Sequence, residues 1–146
     1  MKTIPVFFFI SVIALFSACG KDKFETKPRL EIVGYSTREL QEGQDLNIRL
    51  KFFDKQGDLS GDSAIGIVSR QNQSVLPPLQ DKNDYFTAIL PEFPDRQEGE
   101  INVKLEYGYL KESLTENDTI ILRFAVRDRG GNMSDTVNSE RVVIIL

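Results

Sequence analysis

From residue 29 onward the chain alternates apolar and polar positions in short bursts, each ending in a cluster of turn-forming residues. A period of two places successive side chains on opposite faces of an extended chain, so the pattern predicts half-buried strands rather than helices. The clearest burst is DLNIRLKFF, residues 45–53, where Leu46, Ile48, Leu50 and Phe52 share one face and Asn47, Arg49 and Lys51 the other. The same reading predicts seven strands, over 30–36, 45–53, 64–70, 84–90, 100–108, 119–127 and 135–145. Further inward-facing candidates are Ile32, Ile65, Ile67, Phe86, Ala88, Leu90, Ile101, Val103, Leu105, Ile120, Leu122, Phe124 and Val126. Between the bursts lie QEGQ, DKQGDLSGD, LPPL, PEFPDRQEGE and DRGGN, at the spacing expected of a β-sandwich. YLKESLTEN, residues 109–117, reads as a helical turn or a loop. The closing RVVIIL is too apolar for an exposed edge, so the last strand is expected to be central or well covered. Together these features predict an all-β fold, an immunoglobulin-like antiparallel β-sandwich in preference to a closed barrel. With no Trp and a single Cys, its core must be held by aliphatic and Phe packing.

The first 28 residues follow different rules. Residues 1–18 begin with MK, continue through an apolar run from Ile4 to Phe16 and end in Ser17 and Ala18, which is the grammar of a signal peptide. A spanning helix needs about 20 apolar residues, and this run is shorter and contains Pro5. The ending FSAC resembles the lipobox of bacterial lipoproteins, in which small residues precede a cysteine that is acylated and becomes the new N-terminus; here that residue is Cys19. Each buried CH₂ of an acyl chain contributes about 0.8 kcal/mol, so two or three chains amount to a near-permanent membrane anchor. Residues 19–28, CGKDKFETKP, mix charges with no hydrophobic period and are expected to form a flexible tether. The folded domain then occupies residues 29–146. Gly20, with no Asp following the cysteine, points to the outer membrane, on its periplasmic or cell-surface face.

Charge and composition narrow the functional classes. The whole chain carries a net charge of −4; without residues 1–18 it loses Lys2 and no acid, leaving 17 basic against 22 acidic side chains. Basic residues are interspersed with acids, which argues against nucleic acid as a partner. There is no His and no second Cys, so the usual base for a Ser or Cys nucleophile and the preferred ligands of zinc and copper are missing. We therefore expect a non-enzymatic binding or structural module in the cell envelope. The alternatives are a calcium-stabilised module that binds a glycan or protein, and a carboxylate-dependent glycosidase. Tyr85, Tyr107 and Tyr109 offer rings for stacking on sugar, although burial accounts for Tyr equally well.

Two acid-rich loops carry the candidate chemistry. In FFDKQGDLSGDS, residues 52–63, Asp54, Asp58 and Asp62 with Gly57 and Gly61 have the composition to wrap oxygen ligands around calcium. The spacing is not that of an EF-hand: Gln56 stands where a second acid is expected, and no Glu closes the loop. VRDRGGNMSDT, residues 126–136, suits a hairpin needing positive φ, and its Asp128 joins the candidate ligands if the two loops meet at one end of the sandwich.

Taken together, CGKDKFETKP, FFDKQGDLSG, LPEFPDRQEGE and VRDRGGNMSDTV followed by an apolar strand resemble uncharacterised lipoproteins of Bacteroidota with an immunoglobulin-like domain. The resemblance implies an envelope location and a sandwich fold, and no particular activity. It also implies O-glycan attachment at Asp followed by Ser or Thr and a small or aliphatic residue, which singles out Ser63, Thr119 and Thr136. The same residue pairs commonly begin strands, which explains them without a glycan.

Overall fold

The computed structural model describes residues 26–72 and 83–146. These form two facing sheets. The first contains β1 (Arg29–Tyr35), β3 (Asp45–Phe53) and β6 (Glu98–Glu106) in the order β1-β3-β6. The second contains β2 (Glu39–Leu40), β4 (Ser63–Arg70), β5 (Asn83–Ile89), β7 (Asp118–Val126) and β8 (Val137–Ile144) in the order β2-β8-β7-β4-β5. A single helical turn, α1 (Tyr107–Leu110), follows β6. All pairings are antiparallel except that of β2 with β8. The chain crosses repeatedly between the sheets, keeping only β4–β5 and β7–β8 as successive strands of one sheet, and gives an immunoglobulin-like β-sandwich.

Alternation in the sequence accounts for the core. Leu30, Leu46, Ile48, Leu50, Phe52 and Leu105 from the first sheet meet Val68, Ile120, Leu122, Phe124, Val126, Val142 and Ile144 from the second, while Leu40, Leu59, Leu90 and Leu110 close the ends. The apolar last strand lies between β2 and β7, so it is not an edge. In the YLKESLTEN segment the helix ends at Leu110 and the remainder is loop. The short β2 was not expected, since two residues carry no period. Of the turn clusters, LPPL lies outside the described residues, as do Cys19 and the leader.

Strand β4 corrects the predicted faces. Ile65 and Ile67 were expected inside, yet the inward positions are Ala64, Gly66, Val68 and Arg70; Val68 is fully buried, and the two isoleucines stand on the opposite face. Gly66 is the reason. The Phe86 ring of the neighbouring strand occupies the space over it, so that a Cβ at residue 66 would lie 1.9 Å from Phe86 Cζ. Phe86 in turn packs edge-on against Phe124, with ring centroids 6.3 Å apart. Ala88, also expected inside, is exposed near the end of the edge strand β5. Gly66→Ala is accordingly expected to expel the Phe86 ring and cost about 1–3 kcal/mol in urea unfolding. A neutral result would mean that the ring does not depend on this gap.

Candidate metal centre

Strands β3 and β7 lie in opposite sheets but end at the same pole of the sandwich, where the 54–62 and 127–136 loops come together. Asp54 follows β3 directly and is 2% exposed; Asp128 follows β7 by one residue and is 0% exposed. Each organises its own loop. The Oδ1 of Asp54 accepts from the Gln56 amide at 3.1 Å and its Oδ2 from the Asp58 amide at 2.9 Å. Gly57, at φ +73°, makes the intervening turn against the backbone of Arg96. Asp128 Oδ1 accepts from the Asn132 amide at 2.7 Å and Oδ2 from Asn132 Nδ2 at 2.9 Å, closing a tight loop through Gly131 at φ +85°. Sequence reasoning assigned these residues to turns, and the hydrogen bonds agree.

The loops are also tied to each other. The Arg129 amide and Nε both donate to the Asp58 carbonyl oxygen, at 3.2 and 3.1 Å, while its guanidinium pairs with Asp95 at 2.8 Å. The 90–97 connection adds a third support: Gln97 accepts from the Asp54 amide, and the Phe93 amide donates to Ser60 Oγ. These ties bring Asp54, Asp58 and Asp128 together, with one carboxylate oxygen of each lying within 4.8 Å of the other two.

The electrostatics of this group are unbalanced. None of the three acids forms a salt bridge among the described residues. Asp58 Oδ1 is shut off from solvent and meets no donor, and among the described residues it is the one side-chain oxygen or nitrogen in that position. Burial, followed by the charges of Asp128 and Asp54, pushes the Asp58 carboxyl above its ordinary range. A raised carboxylate pKa adds stability only while the proton is held, so that contribution is lost as pH rises through the folded value. At neutral pH the cluster alone is thus a source of strain in the fold.

Asp62, the fourth predicted ligand, does not join the group. Its carboxylate accepts from Arg127 Nε at 3.0 Å and from the amide and hydroxyl of Ser63. The Arg127 hydrogen bond, reinforced by the Ser63 amide, holds its pKa below the ordinary value. Arg127 reaches it from 65 residues away, a pairing that no local pattern in the sequence indicates.

The three glycan candidates are placed in different settings. Thr136 is exposed, beside an Asp135 side chain that is 93% exposed and pairs with Lys27. Ser63 is half-buried and donates to Asp62. Thr119 lies within β7, half-buried, behind the fully buried Asp118. Of the tyrosines, Tyr107 donates its hydroxyl to the Ile145 carbonyl, whereas Tyr85 and Tyr109 remain exposed.

Sequence reasoning passed over a buried network at the opposite pole. Arg70, whose side chain is 3% exposed, ends the apolar strand β4, donates to the Leu110 carbonyl at 2.7 Å and pairs with Asp84 at 2.8 Å. Asp118, far from it in sequence, lies near it in space at the start of β7, where Ile120 is the cross-strand partner of Arg70, and gathers Asn72, Lys111, Glu112 and Ser113 around its carboxylate. The one available signal was a charged residue at the end of each strand.

No protein-family model matches the chain, and no curated protein matches it. Several solved structures are loosely similar. The sporulation control protein Spo0M from Bacillus subtilis is similar over 82% of this chain and 50% of its own, with 10% identity and a TM-score of 0.45. A superoxide reductase (neelaredoxin) from Ignicoccus hospitalis is similar over 81% and 80%, with 7% identity and a TM-score of 0.45. A cohesin module of a family 33 glycoside hydrolase from Clostridium perfringens is similar over 82% and 98%, with 18% identity and a TM-score of 0.37. This chain thus spans half the length of the first of these. Likenesses this loose transfer no function.

Proposed function

We propose that the chain is a lipid-anchored protein of the cell envelope, held at Cys19, that acts as a non-catalytic binding or structural module. The leader grammar and the FSAC ending support the anchor. The first strand of the sandwich begins at Arg29, ten residues after Cys19 in the sequence. Among the described residues no helix is long and apolar enough to cross a membrane.

The observation that carries the binding role is the contrast between the two outer walls. Outside the first sheet, Lys51–Glu98, Lys104–Asp45 and Arg29–Glu31 form a wall of exposed ion pairs. Outside the second, Ile65 and Ile67 on β4 adjoin Tyr85 and Ile89 on β5, which are 67% and 81% exposed. A solvated wall opposite an apolar one fits a module that meets a partner on one side.

Both parts are testable in the native host. Protein recovered from the envelope fraction should have the mass of the chain from residue 19 plus fatty acid, and Cys19→Ala should leave the leader uncleaved and remove the acyl mass. A wild-type chain with a free thiol would refute the anchor. Photo-crosslinkers at residue 89 should trap partners that the same group at residue 49, on the charged wall, does not; equal labelling from both would refute the binding face.

A further inference from the structure

The fold brings together three carboxylates that form no salt bridge among the described residues, and we propose that Asp54, Asp58 and Asp128 form a calcium site that clamps the 54–62 loop to the 127–136 hairpin. The proposal rests on two independent observations. One is the convergence of oxygens from separate sheets to within 4.8 Å. The other is Asp58 Oδ1, a carboxylate oxygen closed to water and without a donor. Leaving such an atom unpaired is costly, and a cation at the centre of the group satisfies it while offsetting the mutual repulsion of the acids.

The choice of ion follows from the donor set. All three ligands are carboxylate oxygens and the chain has no His, so the site selects hard cations over zinc or copper. The three oxygens lie within 4.8 Å of one another, a span that small side-chain rotations close onto calcium, which accepts flexible geometry at about 2.3–2.6 Å, whereas magnesium demands near-ideal octahedral geometry at about 2.0–2.1 Å. Calcium takes 6–8 oxygens, so loop carbonyls and water complete the shell. The hydrogen bonds already made by Asp54 and Asp128 use the amides of their own loops and leave further lone pairs on each oxygen. Gly130 keeps the adjoining space clear: a Cβ there would lie 3.3 Å from Asp128 Oδ1 and 3.7 Å from Asp58 Oδ2.

Thermal melting of the full chain in detergent provides the test, in chelator and in 10 mM calcium, magnesium or zinc chloride. With a dissociation constant in the 0.1–1 mM range typical of extracellular modules, calcium should raise Tm by roughly 5 °C or more and magnesium by less. Titration calorimetry should give one calcium per chain. Asp58→Asn removes a charge while keeping the shape, so it should melt higher than wild type in chelator and lose the calcium shift. Asp128→Asn should lose the shift as well. No calcium shift in the wild type would overturn the site, as would a shift that survives in both variants. An Asp58→Asn chain that melts lower than wild type in chelator would also overturn it, because the charge would then be compensated within the protein. These outcomes are independent of acylation at Cys19 and of any partner on the β4–β5 wall.

Discussion

Replacing Asp118 with Ala should lower the unfolding free energy by about 3–5 kcal/mol, among the largest effects of any single polar change in this domain. The carboxylate is fully buried. Its Oδ2 accepts from the amides of Glu112 and Ser113 at 2.9 Å and from Lys111 Nζ at 3.0 Å, and Oδ1 accepts from Asn72 Nδ2 at 3.0 Å. Removing the acid takes an acceptor from four donors at once, two of which, Lys111 and Asn72, keep others at Glu116 and Asn117. One of them is the ammonium of Lys111, whose side chain is only 10% exposed. Burial alone would raise the Asp118 pKa, but the two amides and Lys111 outweigh it and hold the group below its ordinary value of 3.8. A depressed carboxylate pKa stabilises the fold above the unfolded value, and that contribution is lost as pH falls through the folded one. The gap in stability between wild type and Asp118→Asn should therefore be constant near neutrality and close below about pH 4, as read by urea unfolding across pH. A gap that does not close in acid would show that the charge is not what matters.

The second large effect belongs to Phe52. Its side chain is 1% exposed, stacks on Phe93 with centroids 5.7 Å apart, and fills the space over Gly99, where a Cβ would come within 2.8 Å of the ring. Phe52→Ala should cost about 3–5 kcal/mol, because the glycine opposite cannot supply atoms to the resulting cavity. Phe52→Leu should cost distinctly less. Since Phe93 belongs to the 90–97 connection that braces Ser60 and Asp54, the alanine variant should also loosen that loop and speed amide exchange there. A loss below about 1 kcal/mol would contradict the packing described.

The strands were legible because a strand buried on one face imposes a period of two, and DLNIRLKFF was delimited without error at 45–53. Strand faces were less secure. In SAIGIVSR both registers carry apolar residues, and the outcome was decided by Phe86 settling over Gly66, a contact between strands that no local pattern encodes. The candidate site divides in the same way. Asp54, Asp58 and Asp128 could be named from loop composition, but their meeting depends on β3 and β7 ending at one pole, which is a property of topology. Asp62 shows the converse: a residue of the right type and spacing is diverted by a single arginine on the neighbouring loop. The Asp118 network left almost no trace, since Asp before a strand is ordinary turn chemistry until its partners are brought around it.

The paths of β1 and β8 have a mechanical consequence. The chain enters at Arg29, next to Phe53, and β8 runs from Val137 at that same pole to Ile144 at the other, beside Asp118. A pull between the N-terminal end of β1 and anything grasping the far pole is thus directed along the strands. The rungs joining β1 to β3 then share the load in shear instead of parting one at a time.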